Sequence, residues 1–85
     1  MNKEIKYDDG RYIGQVVNGK MEGKGIFYLN NGDRYEGDWK NDKKEGKGIY
    51  YYNNGDREMG DYYNGKPKGK FVMLTRNGEV KVNNY

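Results

Sequence analysis

The side chains that could carry chemistry in this 85-residue chain are carboxylates, lysines and tyrosines, because the sequence contains no His, no Cys and no Ser. Catalytic triads of the Ser/His/Asp kind and Cys/His nucleophile pairs are therefore excluded. The acidic pair Asp8 and Asp9 precedes Gly10 in a stretch typical of a turn, where no apolar pocket could shift the pKa of a carboxyl group. These absences predict that the chain is not an enzyme.

Two Gly-x-Gly stretches, at Gly23 to Gly25 and at Gly46 to Gly48, have a spacing found in phosphate-binding loops. Such a loop holds its anion at the N-terminus of the helix that follows it, whereas each stretch here leads into a strand-like segment. The sequence also contains no EF-hand loop. We therefore expect no cofactor and no metal ion.

The composition favours short strands joined by tight turns. Apolar residues make up 33% of the chain and charged residues 34%, so there is little material for a core between two layers. Ten Tyr and fourteen Gly stand beside a single Pro, a combination that suits strands and turns rather than helices. Disorder is the alternative for so polar a chain, but disordered segments are poor in aromatic residues and this chain is rich in them.

Charge and cellular context are less informative. The sixteen basic and thirteen acidic residues are spread along the chain and give a net charge of +3, which permits nucleic acid binding without indicating it. The lack of Cys fits a reducing compartment. The first ten residues do not resemble a signal peptide, and no apolar run approaches the roughly 18 residues of a membrane span. We expect a cytoplasmic protein.

A 23-residue repeat organises the chain. The first and second units share 15 identities in 23 positions and the second and third share 9, and a period of this length is typical of stacked structural repeats. The predicted organisation is one domain with an N-terminal half-unit or cap strand at 1–10, repeats at 11–33, 34–56 and 57–79, and a C-terminal strand at 80–85.

The spacing of apolar residues indicates strands. Tyr35, Gly37 and Trp39 alternate with charged residues, as in a half-buried strand. The next segment has apolar material on both faces, with Gly48, Tyr50 and Tyr52 on one face and Ile49 and Tyr51 on the other. The predicted fold is an all-β, elongated, single-layer antiparallel meander of tandem hairpins.

Loop length tests this assignment, because directly paired residues share a face of the sheet. Phe27 joins the face of Tyr35 only if the loop between their strands has an odd number of residues. Asn30 to Gly32 supplies a three-residue turn closed by a left-handed Gly. The longer loops are predicted at Asn18 to Gly23 and at Asn41 to Gly46, and both are even.

The end units are predicted to use tighter turns, as capping repeats do. A two-residue turn at Asp9 and Gly10 places Ile5 and Tyr7 on the face of Tyr12. The corresponding placement at the other end is a turn at Asn77 and Gly78 that sets Val80 and Val82 beside Phe71 and Met73.

The stretch YEGDWKNDKKEGKGIYYYNNG combines Tyr-x-Gly with Gly-x-Gly and an aromatic pair before a turn Gly. This pattern resembles the MORN repeat (membrane occupation and recognition nexus). The resemblance extends from about Tyr12 to Gly78, with Ile5 to Gly10 as a leading half-unit. It implies an elongated, twisted single-sheet meander with an aromatic-lined face, a fold that agrees with the one predicted from loop length.

The third repeat departs from this pattern. Glu58 stands where Tyr12 and Tyr35 stand, and Phe71 replaces the glycine found at Gly25 and Gly48. Phe71 also opens the most apolar run in the chain. This run either closes the end of the sheet or forms an exposed docking patch. The residues of this predicted C-terminal patch are Glu58, Phe71, Met73 and Leu74.

The alternation of glycine with aromatic residues has two compatible interpretations. The glycines let neighbouring rings lie flat across the backbone, which is a structural role. The rings also form a groove for an extended partner, since Tyr and Trp give a large contact area at a small entropic cost. The residues of this predicted partner-binding face are Tyr12, Phe27, Tyr35, Trp39, Tyr50, Tyr52 and Tyr62.

These features favour a protein-interaction module or scaffold that binds a protein through its aromatic face, its apolar C-terminal end or an exposed sheet edge. The resemblance implies an alternative, which is peripheral binding to an anionic phospholipid surface at the edge of a membrane. Each Lys near such a surface would add about 1 kcal/mol. The lysines concerned are Lys43, Lys44, Lys47, Lys66, Lys68 and Lys70. The competing interpretation of these lysines is a solvated rim that protects the sheet edges.

A further alternative is a small inhibitor or accessory subunit docked on a larger complex, including one that processes nucleic acid. Nucleic acid itself is not expected as a direct ligand, because acidic residues are interleaved with the basic ones. The sequence selects neither the partner nor an oligomeric state.

Overall fold

The computed structural model describes residues 2–85 and contains one antiparallel sheet with its eight strands in chain order. The predicted single-layer meander of hairpins is confirmed, and the described residues contain no helix. The strands are β1 (Asn2–Tyr7), β2 (Gly10–Val17), β3 (Lys20–Leu29), β4 (Arg34–Lys40), β5 (Lys43–Tyr51), β6 (Arg57–Tyr63), β7 (Lys66–Leu74) and β8 (Val80–Asn84).

The three-residue turn between β3 and β4 has the predicted form. The backbone N–H of Leu29 donates to the carbonyl of Asp33 at 2.9 Å, which leaves residues 30–32 as the loop. Gly32 has a φ of +97°. Phe27 therefore pairs directly with Tyr35, and both side chains lie on one face of the sheet.

The long loops predicted at Asn18 to Gly23 and at Asn41 to Gly46 are wrong. Asn18 and Gly19 both have positive φ, 52° and 77°, and form a two-residue turn of the kind that suits a hairpin. β3 begins immediately afterwards at Lys20. The remaining extra residues are absorbed by a bulge, where the register shifts between the pairs Gly14 with Gly25 and Val16 with Met21. The number of residues between the paired strand segments is even, as predicted, but these residues form a turn and a bulge rather than one loop.

The N-terminal turn lies one residue earlier than predicted. β1 ends at Tyr7, which pairs with Gly10, so the turn residues are Asp8 and Asp9. Ile5 pairs with Tyr12. The predicted face of β1 is thus confirmed, whereas the predicted turn at Asp9 and Gly10 is wrong.

The predicted placement of the last strand is wrong. Val80 pairs with Leu74 and Val82 with Val72, so both valines lie on the face opposite Phe71 and Met73. The reason is the turn, because the N–H of Thr75 donates to the carbonyl of Glu79 at 2.9 Å and leaves three residues in the loop. Changing the loop from two residues to three shifts the pairing by one residue, which moves Val80 and Val82 to the opposite face. The last hairpin turn therefore matches the turn between β3 and β4.

The two faces of this sheet differ in burial. One face, which we term the ring face, carries the core, and its buried members are Tyr12, Met21, Tyr35, Trp39, Tyr62 and Phe71. A single sheet has no second layer to cover its side chains, so these aromatic residues cover one another. We term the opposite face the trough face.

Candidate functional site

In each regular repeat, the ring of the tyrosine near the start of the first strand rests on glycine backbone of the neighbouring strand. The ring of Tyr12 in β2 lies over Gly25 in β3, where a Cβ atom would come within 2.2 Å of the hydroxyl oxygen. Tyr35 in β4 lies over Gly48 in β5 in the same way. The hydroxyl of Tyr12 donates to the carbonyl of Gln15 at 2.7 Å. Both rings are fully buried because nothing larger than hydrogen stands beneath them.

Five buried rings and the more exposed ring of Tyr85 form a continuous column across the sheet. Consecutive rings meet edge to face with centroids 5.0 to 5.5 Å apart and interplanar angles of 81° to 89°. Such pairs contribute about 0.5–1.5 kcal/mol each beyond the area that they bury. The column, which we call the ring column, runs in the order Tyr12, Trp39, Tyr35, Tyr62, Phe71 and Tyr85.

A long open hollow of about 960 Å³ lies on the trough face, across β1 to β6. We term it the trough. Its floor is a mainly apolar row of side chains from adjacent strands. In this row Ile13 pairs with Ile26 and Ile49 pairs with Met59, with the charged Glu36 between the two pairs. A row of glycines extends this floor, and its members are Gly14, Gly25, Gly37, Gly48 and Gly60.

The charges that border the trough are matched in pairs. Lys24 forms a salt bridge with Asp38, and the Nζ of Lys47 lies 3.7 Å from a carboxylate oxygen of Asp61. Glu36 in the floor accepts a hydrogen bond from the Nε of Arg34 at 2.7 Å. The trough therefore offers apolar side chains and glycine backbone between partnered charges.

Comparison with known families agrees with this geometry. The sequence profile of the MORN repeat matches residues 12–34 and 35–57, which together cover more than half of the chain. The chain belongs to the MORN-repeat family. MORN repeats are generally non-catalytic modules that bind proteins or membrane phospholipids, and they are associated with proteins at the membrane periphery. A search of curated proteins finds no match to the chain.

The described part of this MORN-repeat chain, residues 2–85, contains no helix long and apolar enough to cross a membrane.

The third repeat keeps the ring column by exchanging two positions. Gly25 and Gly48, which lie beneath the rings of the regular repeats, are termed seat glycines. Phe71 in β7 occupies the corresponding repeat position, and its ring lies over Gly60 in β6. A Cβ atom on Gly60 would come within 2.6 Å of this ring. Glu58 occupies the position that supplies the ring in the other repeats. The ring thus comes from the second strand of the hairpin instead of the first.

Glu58 is buried, with 3% of its surface exposed. Three hydrogen-bond donors make four close contacts with its carboxylate oxygens. The Nδ2 group of Asn83 donates at 2.7 Å, and the hydroxyl of Tyr52 donates at 3.1 Å. The hydroxyl of Tyr85 lies 3.0 and 3.1 Å from the two carboxylate oxygens. Asn83 lies in β8 and Tyr85 directly follows it, so Glu58 ties the C-terminal end of the chain to the ring face.

The predicted C-terminal patch does not form one exposed surface, which corrects the docking interpretation of these residues. Phe71 is fully buried in the ring column and Glu58 is buried beside it. Met73 pairs with Glu58 on the ring face, whereas Leu74 lies on the trough face. Strand alternation sends neighbouring residues of an apolar run to opposite faces, so this run cannot present a single surface.

The seven predicted aromatic residues do share the ring face, but most of their surface is used in the core. Four of them, Tyr12, Tyr35, Trp39 and Tyr62, are buried, and Phe27, Tyr50 and Tyr52 are half-buried. A smaller hollow of about 380 Å³ lies on the ring face near the N-terminal end. It is lined in part by Tyr7, Phe27, Leu29 and Trp39.

Burial also affects the titration of these phenols. The hydroxyl of Tyr50 donates to the carboxylate of Asp33 at 2.8 Å. Burial, together with this carboxylate, raises the pKa of Tyr50 to about 12. Burial and the neighbouring Glu58 raise the pKa of Tyr52 to about 12. Burial raises the pKa of Tyr35 and of Tyr62 as well. These hydroxyls are neutral at ordinary pH, and those of Tyr35, Tyr50 and Tyr52 donate hydrogen bonds.

Lys44 does not belong with the other predicted lipid-binding lysines. Its Nζ lies 5.0, 5.2 and 5.5 Å from the ring centroids of Tyr35, Tyr50 and Tyr62, and burial lowers its pKa. It is therefore a cation held on the ring face.

The remaining predicted lipid-binding lysines are exposed. The Nζ of Lys43 donates to Asn64, Lys47 pairs with Asp61, and Lys68 lies over the ring of Tyr63. Lys66 and Lys70 are exposed on β7.

The trough was not predicted from the sequence. Its signal was present in the isoleucines that alternate with the ring residues along a strand, such as Ile49 beside Tyr50. A repeat whose strands carry apolar side chains on both faces has more apolar surface than one core can use. The aromatic residues account for one face only, and the isoleucines mark the other.

Proposed function

We propose that this MORN-repeat chain is a non-catalytic protein-binding module that holds an extended segment of a partner in the trough. The observation that carries the proposal is the pairing of an open, apolar-floored hollow of about 960 Å³ with a ring column whose members are already packed against one another. Accessible apolar surface that can accept a ligand without disturbing the core lies on the trough face.

The shape and charge of the trough favour a polypeptide over a phosphate-bearing ligand. Its basic residues Lys24 and Lys47 are partnered by carboxylates, and Glu36 adds an acidic group to the floor. An anionic headgroup or a nucleic acid backbone would gain little here, because its attraction to each lysine is opposed by a neighbouring carboxylate. A partner with apolar side chains would instead pack on Ile26, Ile49 and Met59.

The exposed parts of the ring face offer a second, smaller protein-binding surface. Phe27, Tyr50 and Tyr52 keep part of their rings accessible, and Phe27 also lines the hollow of about 380 Å³. The aromatic contacts predicted from the sequence would act through these three residues, since Tyr12 and Tyr35 are covered.

The absence of catalysis is part of the proposal and has its own support. The sequence lacks His, Cys and Ser, and the pKa shifts of the ring face raise phenol values rather than creating a base or nucleophile near neutral pH. A module that only binds needs none of these groups.

Anionic lipid is a second candidate, favoured by the charge of the C-terminal part. Residues 66–85 contain five basic residues and one acidic residue. Co-sedimentation with phosphatidylserine vesicles would show this activity, and it should be lost when Lys66, Lys68 and Lys70 are all changed to Glu. Binding that persists in high salt or in the triple variant would exclude the electrostatic version of this candidate.

A display experiment tests the trough even though the natural partner is unidentified. Random peptides displayed on phage would be selected on the immobilised chain, and the enriched peptides would then be tested on Ile26→Lys. A lysine there places a charge in the apolar floor, so we expect binding to fall by at least about tenfold. Enriched peptides that bind Ile26→Lys as tightly as the original chain would contradict the proposal.

A further inference from the structure

β8 forms one open edge of the sheet, and its backbone groups alternate in direction. Tyr85 and Gly69 exchange two backbone hydrogen bonds at 3.0 and 3.2 Å, and Thr75 donates to Glu79 at 2.9 Å. In an antiparallel ladder such pairs occur at every second residue. Odd-numbered residues of this segment therefore face β7, and the N–H and C=O groups of Val80, Val82 and Asn84 point away from the sheet.

The side chains at this edge are apolar and exposed on the trough face. Val80 and Val82 are 68% and 55% exposed. Val82 pairs with Val72, which pairs with Met59, so three adjacent strands present one apolar row. Met59 and Val72 are each 37% exposed. A strand added beside β8 would extend this row and bury both valines.

The other edge of the sheet differs in a way that makes β8 the accessible one. β1 carries the charged residues Lys3, Glu4 and Lys6 along its length, a common means of discouraging strand addition. β8 carries one charged residue, Lys81, between its two valines. Exposed valines at an open edge are the arrangement that a partner strand can use.

Charge identifies the partner that fits. Residues 66–85 contain five basic residues and one acidic residue, whereas residues 1–65 contain eleven basic and twelve acidic residues. The net positive charge of the whole chain thus belongs to β7, β8 and their turn. A second copy of this chain would bring the same positive segment to the edge and be repelled, while an acidic segment would be attracted.

We propose that β8 binds an acidic, extended segment of another protein by strand addition. The segment pairs with the outward backbone groups of Val80, Val82 and Asn84. Its apolar side chains continue the row of Val72 and Val82 on the trough face. Its carboxylates lie on the ring face with Lys81, in the net positive field of residues 66–85. This site lies at the sheet edge beyond the trough, with which it shares Met59, and strand addition does not require the trough to be occupied.

A designed peptide probes this edge directly. A fluorescein-labelled heptapeptide of alternating Glu and Val would be titrated with the chain in a fluorescence anisotropy assay. Two control peptides separate the contributions: the same sequence with alternate backbone nitrogens methylated along one edge, and a Lys-Val peptide of opposite charge. We expect each control to bind at least about tenfold more weakly, because one loses strand hydrogen bonds and the other is repelled.

Val82→Pro is the decisive variant. The N–H of Val82 is not used inside the sheet and proline is tolerated at such edge positions, so the chain should fold with nearly unchanged thermal stability. Strand addition needs that N–H, so peptide affinity should fall by at least about tenfold. Val82→Thr keeps the N–H and the branched side chain and should bind within about threefold of the original.

The proposal is overturned if Val82→Pro binds the Glu-Val peptide as tightly as Val82→Thr does, or if the Lys-Val peptide binds equally well. It is also overturned if sedimentation shows that β8 pairs with a second copy, seen as a dimer that Val82→Pro converts to monomer. Tight binding to phosphatidylserine vesicles by both variants, without peptide binding, would assign the basic segment to a membrane instead. None of these outcomes depends on whether Ile26→Lys affects the trough.

Discussion

The ring of Phe71 lies over Gly60, which is the reverse of the arrangement that places Tyr12 over Gly25. In the regular repeats the first strand of the hairpin supplies the ring and the second supplies the glycine seat. In the third repeat the second strand supplies the ring, and Glu58 stands where the ring residue would be. Two departures that look like separate losses of the pattern are one compensated exchange.

This exchange predicts strong coupling between positions 58 and 71. Phe71→Gly alone removes a fully buried ring and should lower the free energy of unfolding by roughly 3–5 kcal/mol. Glu58→Tyr alone adds a ring where Phe71 already lies and should cost about 1–3 kcal/mol. The double variant rebuilds the regular repeat, so it should be more stable than the sum of the single effects predicts. Urea denaturation of the four proteins measures this.

The double-mutant cycle has a clear negative result. If the effects of Glu58→Tyr and Phe71→Gly simply add, the two positions do not share one ring site and the exchange is wrong. Phe71→Leu serves as the control, since it keeps an apolar side chain and should cost less than Phe71→Gly.

A Cβ atom on Gly48 should displace the ring of Tyr35. The added methyl would lie 2.2 to 2.5 Å from atoms of that ring, so Gly48→Ala should lower the free energy of unfolding by about 1–3 kcal/mol. Trp39 packs edge-on to Tyr35 with centroids 5.2 Å apart, so its fluorescence should change in the same variant.

Gly69→Asn is the matched control for Gly48→Ala. A Cβ atom on Gly69 would have no neighbour within 4 Å, and Asn tolerates the φ of +79° at this position better than other residues do. We expect a smaller loss of stability and unchanged Trp39 fluorescence. Equal losses of stability in Gly48→Ala and Gly69→Asn would show that Gly48 is not needed to make room for the ring of Tyr35.

Alkaline pH should destabilise the fold through Tyr50 and Tyr52. Their pKa values are raised from 10.0 in a free phenol to about 12 in the folded chain, so the folded state favours the neutral hydroxyl. The resulting stability is fully present below pH 10 and is lost as the pH rises towards 12. Thermal melting across this interval should show a falling midpoint, with tyrosinate absorbance rising as the protein unfolds.

Tyr50→Phe isolates one of these contributions. The variant cannot ionise at that position, so its melting temperature should fall less steeply above pH 10 than that of the original chain. The same steepness in both proteins would mean that Tyr50 titrates alike in the folded and unfolded states.

Glu58 should control the opening of the last strand. Glu58→Ala removes the acceptor for Asn83 and Tyr85 and should cost about 1–3 kcal/mol. Hydrogen exchange should become faster at the backbone amides of Lys81, Asn83 and Tyr85, which face β7, while β2 to β4 change little. Glu58→Gln keeps one acceptor oxygen, so its exchange rates should lie between those of the original chain and those of Glu58→Ala. A uniform increase in exchange rate across the whole sheet would refute this local role.

The fold could be predicted because two kinds of signal agreed. The 23-residue period indicated stacked hairpins, and the parity of the loop at Asn30 to Gly32 placed Phe27 with Tyr35. Loop boundaries were harder, because a two-residue turn followed by a bulge has the same parity as a six-residue loop. The register of β8 depended on whether Arg76 belongs to the turn, which hydrogen bonding decides and composition does not. The division into units at 11–33, 34–56 and 57–79 remains a prediction.

The candidate site was predicted less well than the fold. Membership of the ring face follows from strand alternation, so the seven aromatic residues were found together. Their burial was not evident, since it depends on rings from different strands meeting edge to face over glycines. The fully buried Phe71 illustrates this, because its apolar neighbours suggested an exposed patch while its position over Gly60 makes it core.

Ile49 and Tyr50 are adjacent residues of β5 that point to opposite faces, and they test the central claim most directly. The measurement is the dissociation constant of a selected partner peptide for Ile49→Lys and for Tyr50→Ala, with thermal melting to show that both variants fold. If the trough is the binding surface, Ile49→Lys should weaken binding by at least about tenfold and Tyr50→Ala by less than about threefold. The reverse order would contradict the account and assign binding to the ring face.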